Sequence, residues 1–340
     1  MLDTVAQPVT VDSSAREQFV RAYRFMLLAR VLDDKYASLY RAGKILGGVF
    51  LGRGQEALSV AVGIHLRRGD IFAPLIRDGA GRLAFGEPVL DAVRTYLGSP
   101  LGPMRSRDGN VHRGRPREGL LPMISHLGAM ISVVNGGLIA KRFQGETDFV
   151  GATCIGDGAT STGAFHEALN QAAVEKLPLI LVVADNQYAY STPTASQFAC
   201  ASLADKAAGY GVDVHSIDGT EFAQCLDVTT RAVQAAREGR GPQLIVANLL
   251  RLCGHGEHDD AGYIVPELKQ STLGRDCLKV AEEFLTRQKL ADAAMLSAWR
   301  SEAVLEVEQA VATAQREGSP DPFAQDWSAL STSHLIEARA

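Results

Sequence analysis

Apolar and polar positions along this chain switch between two periods, and the switches mark its elements. From Ala15 to Ala42, Phe19, Tyr23, Met26, Leu27, Val31, Tyr36 and Leu39 recur at helical spacing until Gly43 stops the run. A second helix is expected from Gln55 to Leu66, a short strand from Asp70 to Ile76 and a short helix from Leu90 to Leu97. Residues 98 to 122, rich in Gly, Pro and Arg, read as a long loop, which a compact domain seldom keeps without a use. After Gly128 a small-residue helix runs to Phe143, its Gly136-Gly137 pair permitting close packing. Further on come a helix near Leu203 to Gly209, a strand near Val212 to Ile217, a helix from Glu221 to Glu238 and a strand from Gln243 to Leu249. Strand and helix periods alternate, which defines an α/β fold with a mostly parallel sheet flanked by helices. Beyond Pro266 the period is helical, with Cys277 to Gln288 and Ala291 to Glu317 as helices, until Gly318-Ser319-Pro320-Asp321-Pro322 breaks it. The division expected is an arm over 1–14, an α/β domain over 15–270 and a helical C-terminal extension with a tail over 271–340.

The centre of the pattern carries the chemistry. An apolar, β-branched run from Phe149 ends in Gly156-Asp157-Gly158, an amphipathic segment follows, and a second run from Leu179 to Val183 ends in Asp185-Asn186. A strand-helix-strand unit with a right-handed crossover brings Asp157 and Asn186, 29 residues apart, to the carboxyl ends of two parallel strands. Ligands bind at that edge of open α/β sheets. Glycines on both sides of Asp157 let a diphosphate approach the backbone where a helix begins, and the free amides there favour an anion. A carboxylate, an amide oxygen and a nearby carbonyl are hard ligands suited to magnesium or calcium. Gly-Asp-Gly alone also caps ordinary turns, so the spacing to Asn186 is what distinguishes the two meanings.

Composition narrows the class. The 340 residues, 46% hydrophobic and 21% charged, bury a large core. A net charge of −5 argues against a nucleic-acid binder, whose domains usually run basic. Five cysteines, Cys154, Cys200, Cys225, Cys253 and Cys277, form no CxxC pair, and their odd number suits a reducing compartment. No apolar run is long enough for a membrane span and no signal-peptide pattern opens the chain, so a cytoplasmic protein is expected.

The strand, Gly-Asp-Gly, helix, strand and Asn186 together resemble the thiamine diphosphate signature. Over roughly residues 17 to 265 the chain resembles the alpha subunit of the thiamine diphosphate-dependent decarboxylating component of 2-oxo acid dehydrogenase complexes. The matching stretches are Tyr23 to Arg30, Leu39 to Ile45, Gly54-Gln55-Glu56-Ala57 and Gly241 to Ile245. Asn186 to Thr194 is closer to the branched-chain type than to the pyruvate type.

That resemblance implies a cofactor, thiamine diphosphate with Mg2+, and a set of site residues. Asp157, the Asn186 side chain and the Tyr188 carbonyl would hold the metal, with Gly156, Gly158 and Ala159 beside the diphosphate. Ser125, His126 and Leu127 match the stretch that lies against the aminopyrimidine, Leu127 as an apolar prop; a packed loop before a helix is the alternative. Arg77 corresponds to the arginine of a Tyr-Arg pair on the diphosphate, but Ile76 stands in the tyrosine's place, and a surface arginine is the alternative. His255, in a Gly-His loop after the last strand, would assist acyl transfer to lipoyl groups; a solvated acidic loop or a metal site with Glu257 and His258 are the alternatives. Eukaryotic members of that family commonly carry a regulatory phosphorylation serine directly after this histidine, and here Gly256 occupies the position, so kinase control there has no support.

The arginines at 105, 107, 113, 115 and 117, with His112, form either a solvated basic loop or a border of the entrance that meets an acidic lipoyl domain. The glutamate that activates the pyrimidine comes from the beta subunit in such enzymes, and nothing here resembles that subunit's cofactor-facing domain. The expected enzyme is therefore an alpha2beta2 heterotetramer acting on a small 2-oxo acid and serving a lipoyl-bearing acyltransferase. Acetoin dehydrogenase or another split carboligase, and a non-catalytic interaction subunit, are the rival readings.

Overall fold

In the computed structural model, which describes residues 13 to 324 apart from 109, 319 and 322, five parallel strands form the central layer. The chain runs through α1 (Ser13–Arg41), α2 (Glu56–His65), β1 (Ile71–Ala73), α3 (Gly79–Phe85), α4 (Val89–Tyr96) and α5 (Ala129–Phe143). It continues through β2 (Gly151–Gly156), α6 (Gly163–Val174), β3 (Leu179–Asp185), the two-residue strands β4 (Tyr188–Ala189) and β5 (Thr192–Pro193), β6 (Asp213–Asp218) and α7 (Phe222–Arg237). β7 (Gln243–Asn248), α8 (Pro266–Gln270), α9 (Cys277–Arg287) and α10 (Ala293–Arg316) complete it. The strand order is β1-β2-β3-β7-β6, all parallel, with Gly156 beside Ala184 and Asp185 beside Asn248.

Side-chain alternation divides the core into two layers, as helices on both faces of a parallel sheet require. Ile180, Val182 and Ala184 of β3 join residues of α1, α2 and α7 on one face. Leu179, Leu181 and Val183 join α5 and α6 on the other. All seven β3 residues are buried, which is why this strand reads as a continuous apolar run. Gly137 lets α5 approach β1, since a Cβ there would stand 2.6 Å from Ile71 Cδ1. Gly136 faces open space and plays no part in that packing.

Several sequence expectations shift. The first helix starts at Ser13, inside the span expected to be an arm, and the rest of that arm lies outside the described residues, as does most of the C-terminal tail. Residues Leu203–Tyr210 wind as 3-10 rather than α-helix, and α3, α8 and the β4–β5 hairpin carried no period long enough to be read. The C-terminal helices are not an appendage: Leu278, Phe284, Leu285, Val307 and Val311 are buried in the same core as α1. The long loop is pinned to the sheet edge, where Phe72 N donates to Gly119 O at 2.8 Å and Leu121 N to Phe72 O at 2.8 Å. That anchorage carries the residues after it to the carboxyl ends of the strands.

Candidate active site

Four neighbouring strands each deliver residues to one cavity at their carboxyl ends. Arg77 follows β1, Asp157 follows β2, Asn186 and Tyr188 follow β3, and Arg251 and His255 follow β7. The cavity has a volume of about 450 Å³, and Ser125, His126, Leu127, Gly156, Gly158 and Ala159 also line it. The residues implied for cofactor and metal by the resemblance therefore all line one cavity, whereas the basic loop, Glu257 and His258 do not.

The turn after β2 is tighter than the sequence implies. A 3-10 turn, Asp157–Ser161, which contains Gly158, stands between Gly156 and α6, held by Thr160 Oγ1 donating to Asp157 O (2.8 Å) and by Lys206 Nζ donating to Thr160 O (2.7 Å). Thr162 then caps α6 through the Phe165 amide. A Cβ on Gly156 would meet no atom within 4 Å, so its Cα faces open space, whereas one on Gly158 would lie 2.6 Å from Ala189 Cβ. Glycine at 158 is thus required by the close approach of the β4 backbone.

Asp157 is 1% exposed, and burial raises its pKa; Gln197 Nε2 donates to its Oδ2 at 2.6 Å. Asp185 is raised to about 6 by burial and by the neighbouring Asp157 charge. Asn186 is buried, its Nδ2 donates to Gln55 Oε1 at 3.2 Å, and its Oδ1 has no partner among the described residues. A buried amide oxygen without a donor is costly. Gln187 has a positive φ of 74° just before Tyr188, and its side chain bonds back to Asp185 at 3.0 Å. Mutually repelling carboxylates and an unpaired amide oxygen are what a bound divalent cation would relieve, so this set fits Mg2+.

Cations line the same cavity. Arg77 is 4% exposed and spends its hydrogen bonds on carbonyls, Leu51 O at 3.0 Å and His255 O at 2.6 Å. Burial lowers its pKa to about 10. Arg251, 2% exposed, bonds to Tyr190 O (2.9 Å), Cys253 O (3.1 Å) and the Tyr263 hydroxyl (2.5 Å). Neither arginine is ion-paired among the described residues; Arg251 reaches Asp259 only through Tyr263, whose hydroxyl donates to Asp259 Oδ2 at 2.6 Å. Two buried guanidinium groups without carboxylates fit a bound anion. His255 lies tilted against Tyr190, ring centroids 4.6 Å apart, and its pKa falls to about 4 through burial and the Arg77 and Arg251 charges. Arg77 Nη2 lies 3.4 Å from His255 Nδ1, and a guanidinium only donates, so the neutral ring carries its hydrogen on Nε2.

Residues 23–323 match the model of the family described as dehydrogenase E1 component. The chain belongs to that family. The alpha subunit of acetoin:2,6-dichlorophenolindophenol oxidoreductase from Cupriavidus necator is 32% identical over 316 residues, 92% of this chain and 95% of that one. The 2-oxoisovalerate dehydrogenase alpha subunit of Bacillus subtilis is 33% identical over 246 residues, 72% of this chain and 74% of its own. The pyruvate dehydrogenase E1 component alpha subunit of Porphyra purpurea is 30% identical over 307 residues, 88% of each chain. The expected alpha-subunit family and α/β fold are both met.

In this E1 chain, sequence reading passed over Arg251, Gln55, Gln197 and Asp185. Arg251 was findable, since it sits three residues past the end of β7, level with the other site residues. Gln55 and Gln197 were not, because only tertiary contact brings them to Asn186 and Asp157. The basic loop is not a uniform solvated face: Arg113 is buried against Glu87, and Arg115 pairs with Glu118 at 2.8 Å. His112 links the loop to the cavity, its Nδ1 2.8 Å from Asp108 Oδ2 and its Nε2 3.0 Å from Ser125 Oγ. Glu257 pairs with Arg41 instead of joining His255 and His258, and no cluster of three His, Cys, Asp or Glu ligands occurs among the described residues.

Proposed function

We propose that this chain is the alpha half of a cytoplasmic alpha2beta2 2-oxo acid dehydrogenase that holds thiamine diphosphate and Mg2+ in the cavity above β1, β2, β3 and β7. The observation that carries the reading is the pairing of opposites in one cavity: buried arginines without carboxylates, and crowded carboxylates with an unpaired amide oxygen. A metal diphosphate satisfies both. When bound, the cofactor supplies the electron sink that lets a 2-oxo acid lose carbon dioxide.

The chain's own residues bind and orient. Asp157, Asn186 Oδ1 and the Tyr188 carbonyl hold the metal, Arg77 and Arg251 hold the anion, and Gly156 leaves it room. Leu127, 58% exposed, props the organic part at the cavity mouth. Ser125, His112 and Asp108 form a hydrogen-bonded row beside it. His255, neutral and carrying hydrogen on Nε2, is the donor that assists passage of the acyl group to a lipoyl arm of a partner acyltransferase. The beta subunit supplies the carboxylate that promotes the proton shift on the pyrimidine. The five free thiols accord with a reducing compartment.

A second reading, acetoin as donor in place of a 2-oxo acid, has the support of the Cupriavidus necator relative, which matches almost end to end. One experiment separates them. The purified chain alone and its co-expressed assembly with a beta partner are assayed with pyruvate, branched 2-oxo acids and acetoin, using an artificial electron acceptor. Activity confined to the assembly with a 2-oxo acid is expected; turnover of acetoin alone selects the second reading, and full activity in the unaccompanied chain overturns the split site.

A further inference from the structure

The segment Leu51-Gly52-Arg53-Gly54-Gln55-Glu56 supplies no atom to the cavity wall, yet it touches both halves of the site from behind. Leu51 O accepts from Arg77 Nη1 at 3.0 Å, and Gln55 Oε1 accepts from Asn186 Nδ2 at 3.2 Å. The segment is itself clamped. Asp33 Oδ2 accepts the Gly52 amide at 2.7 Å, and Glu56 Oε2 accepts the Gly54 amide at 2.8 Å. Glu56 in turn is tied to Arg30 (2.5 Å), and Arg30 to Asp276 before α9 (2.9 Å). Gly54 takes a φ of +91°, and a Cβ there would lie 2.7 Å from Leu250 O, so the segment is pressed against the chain that follows β7.

Gln55 is 2% exposed and begins α2. Its carbonyl receives the Asn186 amide while its own Nε2 has no partner among the described residues. A carboxamide has one donor end and one acceptor end, and engaging the donor end of Asn186 decides which end stays free. The free end is the oxygen, the end a hard cation needs. We infer that Gln55 is a positioning residue: it fixes the Asn186 carboxamide with its oxygen available to the metal, and so sets metal-dependent cofactor affinity without itself touching metal or cofactor. This rests on the reading of Asp157 and Asn186 as metal ligands. Outer partners of metal ligands commonly act in this way.

The test uses the full chain assembled with its beta partner. Affinity for thiamine diphosphate at saturating Mg2+ is measured by calorimetry for wild type, Gln55→Met, Gln55→Glu, Asn186→Ala and the double variant Gln55→Met with Asn186→Ala. Thermal midpoints are recorded without cofactor. Gln55→Met removes the acceptor at nearly constant volume and should weaken binding about tenfold to a hundredfold. Gln55→Glu keeps an acceptor and should restore most of the affinity. The double variant should bind no more weakly than Asn186→Ala, because the effect passes through Asn186. If Gln55→Met fails to assemble, Gln55→Asn, which draws the acceptor back by one methylene at a position that tolerates asparagine, carries the same expectation. Wild-type affinity in Gln55→Met beside a loss in Asn186→Ala overturns the inference and leaves the site reading standing, as does an additive loss in the double variant. Wild-type affinity in Asn186→Ala overturns both.

Discussion

Two pairs of buried arginines, Arg82 with Arg113 and Arg77 with Arg251, live by opposite rules. Arg82 and Arg113 share Glu87: Arg82 Nε reaches Oε2 at 3.2 Å, and Arg113 makes two bonds, 2.8 and 2.9 Å, to the same carboxylate. The Glu87 pKa is held down by the two guanidinium groups against the effect of burial, and the Arg113 pKa is raised by Glu87. Arg77 and Arg251 are buried just as deeply but are given only carbonyls and a hydroxyl, and the Arg77 pKa is lowered to about 10. Burying a charge is expensive in both places. In the first the protein repays the cost within itself; in the second it leaves the repayment to a ligand. Residue type and burial do not separate structure from function here. The partner does.

The sharpest break of this contrast is at the opposite pole of the site. Asp157→Ala should abolish Mg2+-dependent thiamine diphosphate binding by the assembled protein while the thermal midpoint of the cofactor-free form stays near wild type or rises, since a buried, poorly paired carboxylate is lost. Calorimetry showing unchanged affinity would remove Asp157 from the site.

Next come the arginines themselves, whose effects should cross over. Arg113→Met leaves Glu87 with one partner and should cost about 3–5 kcal/mol in urea unfolding, with cofactor affinity unchanged in whatever fraction folds. Arg77→Met should leave unfolding unchanged or slightly favoured and weaken cofactor binding by about 1.5–3 kcal/mol, the range for hydrogen bonds to charged groups. Equal destabilisation by the two substitutions would erase the distinction drawn between them.

The His255 imidazole reports the same imbalance through pH. Its pKa is lowered from 6.5 to about 4, so the unfolded chain takes up the proton first. Its stabilising contribution is therefore complete above about pH 6.5 and is lost as pH falls through 4. In an NMR titration the His255 midpoint should lie near 4 without ligand and move upward when a diphosphate neutralises Arg77 and Arg251. A midpoint near 6.5 in both states would mean that the two cations do not act on it.

The smallest effect is expected at Gly156. Alanine there meets no atom within 4 Å, so unfolding should change by no more than about 0.5 kcal/mol, while the added methyl narrows the space kept for the ligand and weakens its binding. Gly158→Ala, forced against Ala189 at 2.6 Å, should lose stability as well, and equal stability in the two variants would contradict the assigned roles.

What the sequence determined by itself was the layered α/β architecture and the edge at which the site lies. Both follow from local rules: β3 is apolar from Leu179 to Ala184 because both its faces are covered, and Asp157 and Asn186 stand just beyond apolar runs, where parallel strands end together. The resemblance then named Arg77, Ser125 and His255, which the structure gathers into the same cavity. Short elements such as α3 and the β4–β5 hairpin were illegible, being too brief to show a period. Only the tertiary structure decided which polar groups are paired. Arg113 and Arg115 belong to the same basic loop as Arg117, yet Arg113 is tied to Glu87 and Arg115 to Asp91 of α4 as well as to the nearby Glu118; Gln55 and Asn186 are 131 residues apart and meet only in the fold. Periodicity is a property of neighbours along the chain, whereas the satisfaction of a buried charge or amide depends on partners that only folding brings within 3 Å.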